Sequence, residues 1–112
     1  MIDPKKKIIL DADVIIHFIK GEFLFSLPRI FSNNFIILNK VYDEIIARKQ
    51  KEILDKFLDL PTVEKVDFPD DIIYLKEFAH LMAKIGYNLD SGESACLAYA
   101  KLNSDVVASS NL

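Results

Sequence analysis

The stretch Ile8–Val14 constrains the fold of this chain more than any other. It opens with the apolar run Ile8–Leu10, which ends in Asp11, and Asp13 follows before a second apolar run. A β-branched run that ends in a carboxylate is typical of a buried strand in an α/β sheet, with the acid at its carboxyl end. Ligands of open α/β sheets bind at that end. We therefore predict a strand over residues 7–11 and a functional role for Asp11.

Both acids in this stretch also have a purely structural explanation. Asp is a favoured N-cap residue, so Asp11 or Asp13 can cap the helix that we predict from Val14 to Lys20. One carboxylate is enough for a cap, and the second therefore needs another role. Gly21 is predicted to be the C′ residue that ends this helix.

The remaining chain alternates apolar runs of strand length with segments of helical periodicity. Further strands are predicted over Phe35–Leu38, Val63–Phe68 and Ser104–Ala108, with the middle one at a sheet edge. A short helix or two turns are predicted over Glu22–Phe31, and a longer helix is predicted from Lys40 to Pro61, with Asn39 as its cap and a kink or turn in Ala47–Glu52. Two further helices are predicted, from Pro69 to Ile85 and over Gly92–Leu102. The helix that ends at Ile85 should turn Ile72, Leu75, Phe78, Ala79, Met82 and Ile85 inward. This alternation predicts a single α/β domain with a parallel sheet and right-handed crossovers.

Composition narrows the class of protein more than it narrows the function. With 112 residues, 51% of them hydrophobic, the chain can bury a core without disulfides. A net charge of −3 lacks the basic surplus that is usual in nucleic-acid-binding proteins. The lone Cys96 should be a buried, unreactive thiol. No apolar run approaches the length of a membrane span or a signal-peptide core, so we expect a soluble, cytoplasmic protein without membrane contact.

Polar side chains recur where the predicted strands and helices join. They are Asp11 and Asp13 after the first strand, Asp43 and Glu44 after the second, Asp90 and Glu93 before the Ala-rich helix, and Ser109, Ser110 and Asn111 after the last strand. Carboxylates gathered at one end of a sheet repel each other unless a cation neutralises them, and such hard oxygen ligands favour magnesium or manganese. A Cys/His cluster for zinc and a Gly-rich phosphate loop are both absent from the sequence.

Some of these acids have simpler roles available. Asp90 and Glu93 have the spacing of a capping box, which alone explains both. Glu44 can be a solvated acid near the start of a helix. The recurrence of acids at successive junctions is what favours a functional site.

Taken in order, these motifs resemble the PIN domain family over nearly all of the chain. Residues 8–14 resemble its opening strand, with Asp11 as the first metal-binding acid. Residues 41–45 resemble its second acidic motif, with Glu44 as the matching acid. Residues 89–98 are similar to the Gly-Glu variant of its third motif, with Glu93 matching and Asp90 close by. Residues 106–111 resemble its last strand and fourth motif, where many members carry Asp and this chain has Asn111.

The resemblance implies a three-layer α/β/α sandwich with a mostly parallel central sheet. It also implies a metal-dependent ribonuclease acting on single-stranded RNA, often the toxin of a toxin–antitoxin pair, with a cognate antitoxin protein as partner. The implied metal ligands, for magnesium or manganese, are Asp11, Glu44 and Glu93, which are also the catalytic residues, together with Asp90. The residues expected around them are Asp13, Ser109 and Asn111.

The densest basic cluster comprises Arg48, Lys49 and Lys51, and we predict that it contacts the RNA backbone. The simpler alternative is an ordinary solvated helix face. The oligomeric state, including a homodimer, stays open at this point.

Two departures from the family pattern leave other functions open. Asn111 replaces a common carboxylate, and the sequence stops just after the last strand, where family members usually continue through another strand or helix. A minimal or truncated member is compatible with this, as is a catalytically decayed, PIN-like binding module. A second enzyme class, the haloacid-dehalogenase phosphatases, also begins with an apolar strand followed by Asp-x-Asp. It needs a later acidic pair, which does not follow the last strand here.

Overall fold

A computed structural model describes residues 2–84 and 91–108 of the chain. Its strands are β1 (Ile8–Leu10), β2 (Phe35–Leu38), β3 (Val63–Val66) and β4 (Val106–Ala108). They form one sheet in the order β3-β2-β1-β4, in which every neighbouring pair is parallel. The predicted α/β fold with a parallel central sheet is confirmed.

Helices cover both faces of this sheet. They are α1 (Ala12–Lys20), α2 (Leu27–Ile30), α3 (Asn39–Glu44), α4 (Arg48–Leu58), α5 (Ile72–Met82) and α6 (Ser91–Asn103), with a 3₁₀ turn at Leu24–Ser26. The chain moves from β1 to β2 to β3 in one direction and then returns across the sheet to β4. Right-handed crossovers therefore place α1 and α4 on one face and α5 and α6 on the other, while α3, which directly follows β2 and contacts both α1 and α6, lies at the carboxyl end of the sheet between the two layers. The contacts agree with this three-layer arrangement, because α1 packs on α4 whereas α6 packs on α5, β1, β2 and β4.

The core lies around the two central strands. All residues of β1 and β2 are buried, and Phe57 of α4 packs edge-on against Phe35. Strands covered on both faces need apolar side chains at every position, which explains their uninterrupted apolar runs. In contrast, β3 exposes Glu64 and Lys65 and is an outermost strand of the sheet, so its predicted edge position is confirmed.

The end of α1 differs from the prediction by one residue. Gly21 is the C-cap with φ −85°, and Glu22 instead takes the left-handed conformation with φ 62°. The N–H of Glu22 donates to the Ile19 carbonyl and that of Phe23 to the Phe18 carbonyl. These two bonds define a Schellman motif, in which Glu22 is the C′ residue. Gly21 was therefore wrongly placed at C′.

The segment after β2 differs in two respects. Asn39 does not cap a helix, because α3 begins at Asn39 itself and the Asn39 Oδ1 accepts a hydrogen bond from the Phe68 N–H at 2.9 Å. The helix is also interrupted over residues 45–47, earlier than the predicted kink or turn in Ala47–Glu52. The consequence for the site is that Glu44 ends a short helix, one turn and a half beyond β2.

The inward face predicted for α5 is wrong in most positions. Four of its predicted inward residues are exposed, namely Ile72, Leu75, Ala79 and Met82; Phe78 is half-buried, and Ile85 lies outside the described residues. The helix packs on α6 rather than directly on the sheet, so the face that it turns inward is centred on Tyr74 and Glu77. Tyr74 contacts Tyr99, and Glu77 pairs with Lys101.

Across the described part of the chain, no helix has the length and apolarity needed to cross a membrane.

The Schellman motif predicts that Glu22→Gly stabilises the protein. Glycine adopts a left-handed φ without the Cβ clash, and this gain outweighs its larger loss of chain entropy by about 0.5–1 kcal/mol. Urea denaturation measures the difference. Glu22→Ala is the matched control, because it removes the carboxylate but keeps the Cβ, and it should leave the free energy of unfolding nearly unchanged. An equal gain in both variants would assign the effect to charge instead of backbone strain.

Candidate metal centre

Asp11 lies at the carboxyl end of β1 and is 3% exposed. Its Oδ1 accepts a hydrogen bond from the Ala12 N–H at 2.8 Å, and its own N–H donates to the Ala108 carbonyl of β4 at 3.1 Å. Asp11 is thus the N-cap of α1, which begins two residues earlier than predicted. The structural explanation is correct for Asp11, and it leaves Asp13 without a capping role. Asp13 is exposed in the first turn of α1, where its charge complements the helix dipole.

The location of Asp11 has a second significance. The strand order reverses its direction at β1, because β2 lies on one side and β4 on the other. The connection from β1 to β2 and the connection from β3 to β4 run in opposite directions across the sheet, and in open α/β sheets ligands bind at the carboxyl ends of the strands where this reversal occurs. Asp11 therefore lies at the topological switch point, where α/β proteins bind their ligands.

Glu93 reaches the same end of the sheet from α6. Because α6 leads into a strand parallel to β1, it runs from the carboxyl to the amino end of the sheet. Its Cys96 Sγ lies 4.0 Å from the Leu10 carbonyl oxygen. Glu93 is three residues earlier, about 4.5 Å nearer to the carboxyl end along the helix axis, which brings it level with Asp11. Glu93 is 3% exposed, an unusual burial for an acid.

Glu44 approaches the start of α6 from α3, which packs against both α1 and α6. Its carboxylate lies against the backbone of Gly92. A Cβ built on Gly92 would be 2.0 Å from the Glu44 Oε1 and 3.0 Å from its Oε2. Since Gly92 precedes Glu93, the Glu44 carboxylate lies beside the residue that carries the second buried acid.

Three acids on three different elements thus lie at the carboxyl end of the sheet, namely Asp11, Glu44 and Glu93. Other predicted site residues, namely Asp90, Ser109 and Asn111, lie outside the described residues. Within residues 2–84 and 91–108, no three side chains of His, Cys, Asp or Glu are grouped closely enough to form a metal site on their own.

The predicted basic cluster occupies the first turn of α4. Arg48 forms an exposed ion pair with Glu52 at 3.5 Å, and Lys49 is exposed. Lys51 donates to the Tyr42 carbonyl, and its Nζ lies 3.7 Å from the centre of the Tyr42 ring. The cluster is therefore partly engaged in internal contacts, and Arg48 and Lys49 are its exposed cations.

The structure adds two residues to the surroundings that the sequence pattern did not indicate. Lys65 of β3 places its Nζ 4.3 Å from the centre of the Tyr42 ring, so two ammonium groups flank this side chain. The Tyr42 hydroxyl donates to Asp55 at 2.6 Å, and this hydrogen bond raises the pKa of Tyr42. The second addition is Gly92, which appeared only as part of a motif. A glycine directly before an acid was a signal visible in the sequence. The residue that contacts this glycine, Glu44, is far away in sequence and was not indicated by it.

Comparison of the chain with protein-family models, with curated proteins and with solved structures finds no match.

The capping bond predicts different stabilities for two variants of Asp11. Asp11→Ala removes the acceptor of the Ala12 N–H and should lower the free energy of unfolding by about 1 kcal/mol. Asp11→Asn keeps an oxygen acceptor and removes one of the mutually repelling charges, so its stability should equal or exceed that of the parent. Urea denaturation of both proteins tests this difference. If both variants lose the same stability, the contribution of Asp11 comes from its charge and the cap is unimportant.

Proposed function

We propose that this protein is a metal-dependent ribonuclease of the PIN type that hydrolyses phosphodiester bonds in single-stranded RNA. The observation that carries the proposal is the placement of three acids, Asp11, Glu44 and Glu93, on three different elements at the carboxyl end of one parallel sheet. Two of these acids are buried. Acids at the carboxyl end of a parallel sheet lie where α/β proteins bind their ligands, and a cation at this place would neutralise their charges.

The donor chemistry fits a hard divalent ion. All three side chains offer carboxylate oxygens, the ligands that magnesium and manganese prefer. We propose that Asp11, Glu44 and Glu93 bind the ion, with Asp90 as a further ligand. Asp13, Ser109 and Asn111 are proposed to surround the site. Asn111 can offer a neutral amide oxygen, which binds a hard cation but does not balance its charge.

When bound, such an ion supplies charge neutralisation at the phosphate and lowers the pKa of water. The residues of the chain hold the carboxylate ligands in position. The hydrogen bond from the Ala12 N–H orients the Asp11 carboxylate, and burial restricts the rotamers of Glu93. The backbone beside Gly92 supports Glu44. Acids held in this way lose little entropy when substrate arrives, which is the advantage of a preorganised site.

The RNA backbone would lie across the start of α4. Arg48 is four residues from Glu44, so their Cα atoms are at most about 14 Å apart. We propose that Lys49, the next residue of the exposed first turn of α4, contacts a phosphate near the scissile bond. Lys51 and Lys65, which flank Tyr42, add further positive charge next to α3.

The biological setting follows from the same resemblance. We propose a cytoplasmic enzyme that acts as the toxin of a toxin–antitoxin pair and is inhibited by a cognate antitoxin protein. A cytoplasmic location would give the enzyme access to cellular RNA.

The proposal predicts cleavage of single-stranded RNA that requires magnesium or manganese and stops on addition of a chelator. Asp11→Asn should reduce the rate by about two orders of magnitude or more, because it removes a charged metal ligand. A fluorophore-labelled RNA and a time course on a denaturing gel measure both effects. Asp59→Asn is the matched control, since it makes the same change at the exposed end of α4, and it should cleave like the parent.

The contradicting outcomes separate the alternatives. Equal cleavage by Asp11→Asn and the parent would remove Asp11 from the site. A parent that binds RNA but neither binds manganese nor cleaves would be a decayed binding module. Release of phosphate from small phosphomonoesters, without RNA cleavage, would favour the phosphatase class.

The basic cluster gives an independent prediction. Lys49→Glu should weaken RNA binding and reduce the salt dependence of the affinity, because one phosphate contact fewer releases fewer counterions. Fluorescence anisotropy at several salt concentrations measures both quantities, and manganese binding should not change. Lys56→Glu reverses the charge of an exposed lysine in the last turn of the same helix and serves as control. Equal losses in both variants would indicate a general charge effect without a local RNA contact.

A further inference from the structure

Gly92 occupies a buried position in the first turn of α6, directly before Glu93. A Cβ at this position would lie 2.0 Å from the Glu44 Oε1, 2.7 Å from its Cδ and 3.0 Å from its Oε2. Nonbonded heavy atoms are most stable at about 3.5–4.0 Å, so each of these contacts would be repulsive. The carboxylate of Glu44 can hold its present position only because residue 92 has no side chain.

Backbone conformation does not explain the glycine. Residue 92 is part of a regular helix, without the positive φ for which glycine is usually needed. Glycine is a poorer helix former than alanine, and α6 uses alanine at other close-packed positions such as Ala95 and Ala98. The space for the Glu44 carboxylate is the feature of the structure that accounts for glycine here.

We propose that Gly92 is a positioning residue that sets the affinity of the site for its cation. It admits the Glu44 carboxylate to the amino-terminal turn of α6, next to Glu93, where the helix dipole also favours negative charge. This inference rests on the proposed function for the role of the cation, whereas the placement of Glu44 by Gly92 rests on geometry alone.

The first test is isothermal titration of manganese into the parent and into Gly92→Ala. Displacement of one ligand should weaken manganese binding by about 10- to 100-fold. The melting temperature should stay the same or rise, since alanine favours the helix. Ser91→Ala is the control, because it changes an exposed residue in the same turn, and it should bind manganese like the parent. Unchanged manganese affinity in Gly92→Ala would overturn the proposed role in cation binding.

A double-mutant cycle separates steric positioning from other effects. In a Glu44→Ala background there is no carboxylate to displace, so adding Gly92→Ala should cause no further loss of manganese affinity. Losses that add independently would overturn the coupling of the two residues. The double variant also lacks the clash with the Glu44 carboxylate, so its folding does not depend on how that side chain adjusts.

The melting temperature provides a measurement that does not depend on a metal. Gly92→Ala should shift it by a different amount in the Glu44→Ala background than in the parent, because only the parent carries a carboxylate that must move. Equal shifts in both backgrounds would overturn the placement of Glu44. A parent that binds no manganese would overturn the proposed function and the role of Gly92 in affinity, while the difference in melting temperature would still decide the placement.

Discussion

The parallel pairing of β1 with β2 on one side and β4 on the other is the constraint on which the rest of the structure depends. Ile8 is in register with both Phe35 and Val106, and this double pairing fixes where β1 ends. The Asp11 N–H donates to the Ala108 carbonyl, so the last bond of this ladder also places the first acid of the candidate site. Fold and site thus share one hydrogen-bond network.

Repulsion among the acids at the carboxyl end of the sheet opposes folding, and the cation that we propose to bind there would relieve it. Asp11 and Glu93 are both buried. The Glu44 carboxylate lies against Gly92, which directly precedes Glu93 in α6. Each carboxylate that lies close to another raises the free energy of the folded chain. Local compensation comes from the Ala12 N–H and from the dipoles of α1 and α6. In the proposed site stability is given up for affinity, so a substitution that removes a charge but keeps the hydrogen bonds of the side chain should stabilise the fold.

Local patterns predicted the elements well, but not the surfaces through which they pack. The apolar runs of β1 and β2 were sufficient to predict these two strands, because a strand covered on both faces is apolar at every position. The inward face of α5 was wrong because α5 packs on another helix, so its face is selected by Tyr99 and Lys101 of a distant segment. The predicted cap at Gly21 was wrong because a Schellman motif can shift by one residue. The predicted cap at Asn39 was wrong because the N–H of a distant residue engages the side chain that was expected to cap the helix.

The sequence by itself determined the order of strands and helices, the parallel class of the sheet and the location of acids where its elements join, because these depend on periodicity and on local termination signals. Only the tertiary structure decided which acids approach each other and what holds them there. The contact between Glu44 and Gly92 joins segments far apart in the chain, and Lys65 approaches Tyr42 from a different element of the fold. Their side chains carry no mutual signal in one sequence, because the distance between them is set by how α3, α4 and α6 pack around the sheet.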